Sequence, residues 1–325
     1  MAIASSSLAF RRAALMTATK VTSKPPSEEV LKARDDFYDF CCFMGKKPAK
    51  HMMEWHNELC TGEDSECLMG IGGPNTAILA PRGSAKSTVL GLFAAWMIGR
   101  HAAAKKMLRI LYIAYMVDIS RAKSATIKGI LTSPKYREVF PMVRLSKIKR
   151  SDEYWSIDYD FAGIDTAGEE AFTIACGGLK GAITSKRSQL VLIDDPIKSA
   201  ASINNPDIRR EMEQTWSNVI APTMFQGARA ICLGTRFHFD DVHATLFVPK
   251  NNWKQIIQKA VITDEDGKQR SYWPEFWSMK YLNERKMEDR VAFAYQYLNT
   301  AVKSTDVGRS EERRVGKECR SRWSP

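Results

Sequence analysis

The sequence predicts an α/β fold, a parallel sheet with helices on both faces. Three observations carry that expectation. The short apolar runs Asn75 to Ala80 (NTAILA), Leu108 to Ala114 (LRILYIA), Gln189 to Ile193 (QLVLI) and Ala230 to Leu233 (AICL) have the length and composition of buried strands. Stretches with helical spacing separate them, and that alternation calls for parallel strands joined by crossover helices. The residues with reactive side chains stand directly after the apolar runs, at the strand ends where open α/β sheets hold their ligands.

In chain order, Glu28 to Cys60 has apolar residues at three-and-four spacing and reads as helix, broken at Pro48. The strand at 75–80 leads through a glycine- and serine-bearing turn into a helix from Ser87 to Ile98, ending near Gly99. After the strand at 108–114, Asp118 starts a helix that runs to Leu131 and stops before Ser133-Pro134. Phe172 to Cys176 is a further strand, followed by a glycine-rich loop from Gly177 to Gly181. The strand at 189–193 ends in Asp194 and Asp195, and Asp207 to Val219 is helical. The strand at 230–233 ends at Gly234-Thr235. Trp253 to Ala260 has strand character, while Ser278 to Lys286 and Val291 to Leu298 are helical.

Composition bounds the function classes. A hydrophobic fraction of 44% supports a packed core and excludes a disordered chain. No apolar run reaches the roughly 18 residues that a membrane-crossing helix needs, so no membrane partner is expected. The net charge of +11 favours a polyanionic partner. Seven scattered cysteines do not form a disulfide framework, and reduced thiols in a cytoplasm are expected. His51, His56, Cys60 and Cys67 fit no standard zinc spacing, and the Met and Trp between them read as a helix face. Residues 1–26 form a basic arm, which also has some transit-peptide character, and 27–300 form the domain. Residues 301–308 begin a linker. From Arg309 the run RSEERRVGKECRSRWSP resembles translated sequencing adapter, a foreign tail which implies that the reading frame is cut short. Without its six basic and three acidic residues the chain keeps a charge of about +8.

The chemistry begins at Ala80-Pro-Arg-Gly-Ser-Ala-Lys-Ser-Thr88, between a strand and a helix. That context suits a phosphate-binding loop, in which backbone N–H groups over Gly83, Ser84, Ala85 and Thr88 face an anion at the helix N-terminus. Lys86 would reach the β and γ phosphates of ATP, and the Ser87 hydroxyl would sit on Mg²⁺. Ala80 and Ala85 stand where the general pattern has glycine. Arg82, four residues before Lys86, could stabilise transition-state charge in cis, or be a surface arginine serving solubility. Asp194 is the natural metal-holding acid at the end of QLVLI, and Asp195 the group that orients and deprotonates the attacking water. Thr235, at the end of the next strand, is suited to sense the γ phosphate. Asp240 is expected to cap the helix after it.

These motifs together resemble the motor domain of tailed-phage terminase large subunits. Arg82 with Lys86-Ser87 looks like that family's Walker A variant, with a basic residue early in the loop and usually Gly where Ala85 stands. IDDP looks like its Walker B segment, and ICLGTRFHFDD like its coupling motif. The stretch from Ile110 to Phe140 and RVAFAYQYLN near the end fit as well, so the resemblance spans about Glu28 to Asn299. It implies an ASCE-type P-loop ATPase that drives duplex DNA into a procapsid from the host cytoplasm. It also implies a portal protein and a small terminase subunit as partners, a homo-oligomeric ring, and a nuclease domain after residue 308. Arg187, in the loop before the acidic strand, is read as a second finger, a DNA contact or a solvated turn. Arg236 is read as a contact to phosphate, DNA or an acidic partner. Trp55 and His56 stand where the base is often held, with a core role favoured. A helicase on the same fold would need a second motor domain, for which the chain has no room. A nucleotide switch would bind ATP without DNA-stimulated turnover.

Overall fold

The computed structural model describes residues 25–60, 72–180 and 186–300. The apolar runs become strands β1 (Asn75–Leu79), β2 (Ile110–Ala114), β5 (Ile174–Gly178), β6 (Ser188–Asp194), β7 (Met224–Gly234) and β8 (Trp253–Ile257), joined at one edge by a hairpin of β3 (Leu145–Arg150) and β4 (Tyr154–Ile157). One sheet results, ordered β3-β4-β5-β2-β6-β7-β1-β8. Every pairing from β5 to β8 is parallel, while β4 runs antiparallel to β5 and β3 to β4.

Alternation along the strands builds a core on each face. Ile78, Tyr112, Leu192 and Leu233 pack into one, with the helices on that side; Ala77, Ile113, Ile193 and Cys232 pack into the other. Each fully buried Leu or Ile contributes roughly 2 kcal/mol. The helix Lys86–Ala103 fills most of the first core. It runs through Gly99 instead of ending there. Gly99 is needed because a Cβ would lie 2.3 Å from the Phe140 ring that packs on it. A third cluster, Ala260, Tyr272, Trp277, Leu282 and Phe293, gathers the C-terminal helices Met279–Glu288 and Arg290–Gln296.

Several boundaries differ from expectation for local reasons. The helical stretch 28–60 breaks at Asp36 as well as near Pro48. Asp36 is extended (φ −123°, ψ 132°) and caps the helix Phe37–Phe43 by accepting from Asp39 N–H. β5 lies two residues later than expected and includes Gly177 and Gly178. A Cβ at Gly178 would come within 2.8 Å of Val117 N, so only glycine lets the helix Val117–Thr132 start against this strand. β7 is 11 residues long, and a π-helical turn at Trp216–Ile220 follows the helix Pro206–Thr215. β8 stops at Ile257, and a small hairpin of β9 (Val261–Thr263) and β10 (Gln269–Ser271) follows it. The arm over 1–24, the linker, the foreign tail, Cys67, and residues 181–185 of the glycine-rich loop lie outside the described residues.

Three buried histidines make the fold acid-sensitive. Burial holds His56, His101 and His243 at about 4, below the ordinary imidazole value of 6.5. The unfolded chain therefore binds protons first. Their contribution is whole above pH 6.5 and is lost as pH falls towards 4, with a slope approaching roughly 4 kcal/mol per pH unit if all three titrate. Urea unfolding at pH 7.5, 6 and 5 checks this; a flat midpoint contradicts it.

Candidate active site

The register brings three loops to one edge. In β1, Leu79 is level with Gly234 of β7 on one side and Ile257 of β8 on the other. β6 lies beyond β7, with Asp194 level with Leu233. Ala80 N–H donates to Gly234 O (3.0 Å) and Asp195 N–H to Leu233 O (2.9 Å). The acidic strand is thus separated from the loop strand by one inserted strand. That order, with a loop and helix after β1, is the ASCE-type P-loop architecture.

The loop from Pro81 to Ala85 needs two left-handed residues. Gly83 has φ 85° and lies under Trp277, 3.1 Å from where a Cβ would be. Ala85 has φ 59° and ψ 22° immediately before the helix Lys86–Ala103. This explains why the general motif has glycine there: left-handed backbone costs an L-residue about 1–2 kcal/mol. Glycine's larger unfolded-state entropy gives back about 0.4–1 kcal/mol of that. Ala85→Gly is therefore expected to stabilise the protein by roughly 0.5–1 kcal/mol in urea unfolding, and a loss of stability contradicts the strain. Ser84 turns its hydroxyl inward, against Pro81 O and, at 2.6 Å, Tyr272 Oη. Its side chain holds the loop's shape. Thr88 is exposed at the helix start.

Lys86 is 4% exposed, and its Nζ donates to Ala80 O (3.2 Å), Pro81 O (3.1 Å) and Thr235 Oγ1 (2.9 Å). Asp195 Oδ1 is 3.7 Å from it. Burial lowers the amine's pKa, and the charges of Asp195 and Asp194 oppose that. Ser87 Oγ donates to Asp194 Oδ1 (2.8 Å), and Tyr112 Oη to Asp194 Oδ2 (3.0 Å). Lys123 Nζ stands 3.9 Å from the same Oδ2. Burial and then the neighbouring Asp195 charge raise the Asp194 carboxyl's pKa. A hydroxyl and a carboxylate so juxtaposed are hard oxygen donors suited to Mg²⁺. Asp195 sits at φ 44°, and its Oδ1 is buried without a hydrogen-bond partner among the described residues. A carboxylate oxygen ion-paired to a buried ammonium but without a hydrogen bond, beside the Ser87–Asp194 pair, fits a site for Mg²⁺ with a phosphate.

Thr235 Oγ1, besides accepting from Lys86, donates to Ala80 O (3.2 Å) and so spans the loop and the end of β7. The segment after it is organised by Asp241, one residue beyond the expected Asp240. Asp241 accepts from Phe237 N–H (3.0 Å), His238 N–H (3.1 Å) and His243 N–H (3.1 Å), and caps Val242–Thr245. Arg236 is buried; it donates to His238 O and Phe239 O and faces Asp241 at 3.4 Å, so its partner is internal.

The structure adds a C-terminal clamp that the sequence did not signal. Arg82 N–H donates to Gln296 O (2.9 Å), while the Arg82 side chain is exposed at the mouth of the loop. Buried Asn299 accepts from Arg236 N–H (3.1 Å) and donates to Gln258 O (2.9 Å). Tyr112 and Lys123 were also missed; a lone hydroxyl within the apolar run LRILYIA was the one available cue. Arg187 precedes β6 and stacks on Phe225 at 5.2 Å. It lies at the opposite end of that strand from Asp194, roughly 20 Å or more away, so it is no second finger for this chain's own site. Trp55 and His56 are core residues, His56 stacked on Phe37 at 4.5 Å.

No family model matches the chain, and no curated protein matches it. Among solved structures it is similar to the large terminase ATPase domain of Thermus phage P74-26, at 15% identity and a TM-score of 0.49, covering 81% of this chain and 98% of that one. It is also similar to the large terminase of bacteriophage HK97, at 13% identity and a TM-score of 0.47, covering 84% of this chain and 55% of that one. A third is the large terminase of a thermophilic bacteriophage in complex with ATP-γ-S, at 12% identity and a TM-score of 0.43, covering 84% of this chain and 52% of that one. The chain spans about half the length of the last two.

Proposed function

We propose that this protein is an ATP-hydrolysing motor of viral DNA packaging, with the strand-end cluster Lys86, Ser87, Asp194 and Asp195 as its catalytic centre. The observation that carries the hydrolase reading is the convergence of a buried ammonium, the Ser87–Asp194 pair at 2.8 Å and an Asp195 oxygen without a hydrogen bond on one loop-and-helix N-terminus. Backbone N–H groups at the start of Lys86–Ala103 bind the triphosphate, and Lys86 bridges its β and γ groups. Ser87 and Asp194 would hold Mg²⁺, which neutralises charge on the phosphate oxygens when bound. Asp195 takes the proton of the attacking water as its oxygen bonds to the γ phosphorus and ADP leaves. Arg82, exposed at the loop mouth, is available to the developing charge. The nucleoside is assigned to a cavity of about 620 Å³ lined by His51, Gln258 and Tyr272, the last of which meets Ser84 of the loop.

Duplex DNA as the track is supported by the ordered motif resemblance and by the charge of about +8 that the chain keeps without the foreign tail. The same reading carries with it a homo-oligomeric ring at a procapsid portal in the host cytoplasm, a small terminase subunit as partner, and a nuclease domain in the parent protein. Thr235, bonded to both Lys86 and Ala80, relays loss of the γ phosphate into the segment organised by Asp241 and Asn299. The test is ATP turnover with and without duplex DNA. A motor is stimulated by the duplex; turnover or binding that ignores DNA favours a nucleotide switch instead.

A further inference from the structure

A basic groove lies at the sheet edge remote from the nucleotide site. It is a cavity of about 380 Å³ between the β3–β4 hairpin and the C-terminal end of the helix Val117–Thr132. Its ionisable lining is Lys128, Arg137, Arg144, Lys149 and Arg150, with no carboxylate among the lining residues. β3 is six strand positions from β1, roughly 29 Å at ordinary strand spacing, so these cations do not serve the triphosphate.

The cations are held in place. Arg150 Nε donates to Ser146 O (2.9 Å) and Arg144 Nε to Asp158 Oδ2 (3.1 Å), while both side chains stay exposed. Lys128 Nζ donates to Arg150 O (3.1 Å), Ser151 O (2.9 Å) and Asp152 Oδ1 (2.9 Å), which fixes the hairpin tip. Guanidinium groups anchored at Nε keep terminal N–H donors for phosphate oxygens at little further entropic cost. Protection of an edge strand explains charges along β3. It does not explain why Arg137 and Lys128, from two helices, converge on the same cavity.

The groove offers no platform for an unstacked base. Trp155 is 1% exposed and donates to Ser124 Oγ, and exposed Phe161 is covered by the Arg144 guanidinium at 3.6 Å. Single-strand sites stack bases on open aromatic rings, whereas duplex tracks contact the backbone. We propose that this groove binds the phosphate backbone of duplex DNA without regard to sequence, through Arg137, Arg144 and Arg150. The choice of DNA rests on the motor reading above. One helix joins the two sites: Lys123 faces Asp194, and Lys128 holds the hairpin tip.

The test is duplex binding by the full chain and by Arg137→Glu/Arg150→Glu, from fluorescence anisotropy of a short labelled duplex over a salt series, beside basal ATP hydrolysis. The expected result is at least a ~10-fold weaker Kd, a log–log salt slope smaller by about 2, and unchanged hydrolysis without DNA. Equal affinity and slope in parent and variant, with hydrolysis intact, overturn the groove and leave the motor reading standing. A parent that hydrolyses ATP but binds no duplex overturns both the groove and the choice of DNA. Stronger binding of a single strand than of a duplex also overturns the groove. Should charge reversal disturb folding, the neutral pair Arg137→Gln/Arg150→Gln gives the same reading, with about half the loss expected and no change in Kd contradicting the proposal.

Discussion

Lys86→Ala is expected to lower ATP turnover about 10²–10³-fold, the magnitude lost when one buried donor to developing phosphate charge is removed. The ammonium is 4% exposed, so its charge acts with little screening by water. Two opposing effects decide whether the protein survives the change. Truncation leaves Thr235 Oγ1 without its donor, at a cost of about 1–3 kcal/mol if unsatisfied, while Ala80 O keeps Thr235 Oγ1 and Pro81 O keeps Ser84 as donors. It also removes a buried charge whose desolvation is the main cause of its lowered pKa. The site opens to solvent beside Asp195, so water can satisfy part of the first loss. A modest shift in melting temperature is expected alongside a large loss of rate. Single-turnover hydrolysis and a thermal melt on the same sample separate the two. A fully folded variant with turnover near the parent's contradicts the role of Lys86.

Asp195→Asn is expected to lower turnover by about 10²–10⁴-fold while leaving ATP binding largely intact. The substitution suits the backbone, because Asn tolerates the left-handed conformation that Asp195 adopts at φ 44°. It keeps the side chain's size and removes its ability to take a proton. Asp195→Ala is a poorer probe, since it adds left-handed strain to the chemical change. Fluorescent-nucleotide binding beside turnover gives the readout. Loss of binding in parallel with rate would recast Asp195 as a ligand-binding group instead of the base.

The strand framework was legible because β1, β2, β6 and the end of β7 are buried on both faces and read as continuous apolar runs. The β3–β4 hairpin was not, since LSKIKR is half exposed and its charges erase the alternation. Lys86 and Ser87, which open the helix after β1, Asp194, which ends β6, and Thr235, which follows β7, were legible because each stands in a short strand-end pattern. The clamp was hidden because its bonds join distant parts of the chain: Arg82 to Gln296, Arg236 to Asn299, Ser84 to Tyr272. No local pattern encodes such pairs. The one-residue displacement of the cap from Asp240 to Asp241 has a similar cause. The path of residues 236–241, held by Arg236 on two carbonyls, decides which carboxylate meets the helix N-terminus.

If Lys86, Ser87, Asp194 and Asp195 form one Mg²⁺-dependent ATP-hydrolysing centre, turnover needs both the metal and the Lys86 ammonium. A Mg²⁺ titration of ATP hydrolysis by the unmodified chain, run beside Lys86→Ala, tests it most directly. Turnover that rises and saturates with Mg²⁺, disappears on chelation and is lost in the variant is the predicted result. Hydrolysis indifferent to Mg²⁺, or equal in the parent and Lys86→Ala, would mean that these residues are not the hydrolytic centre.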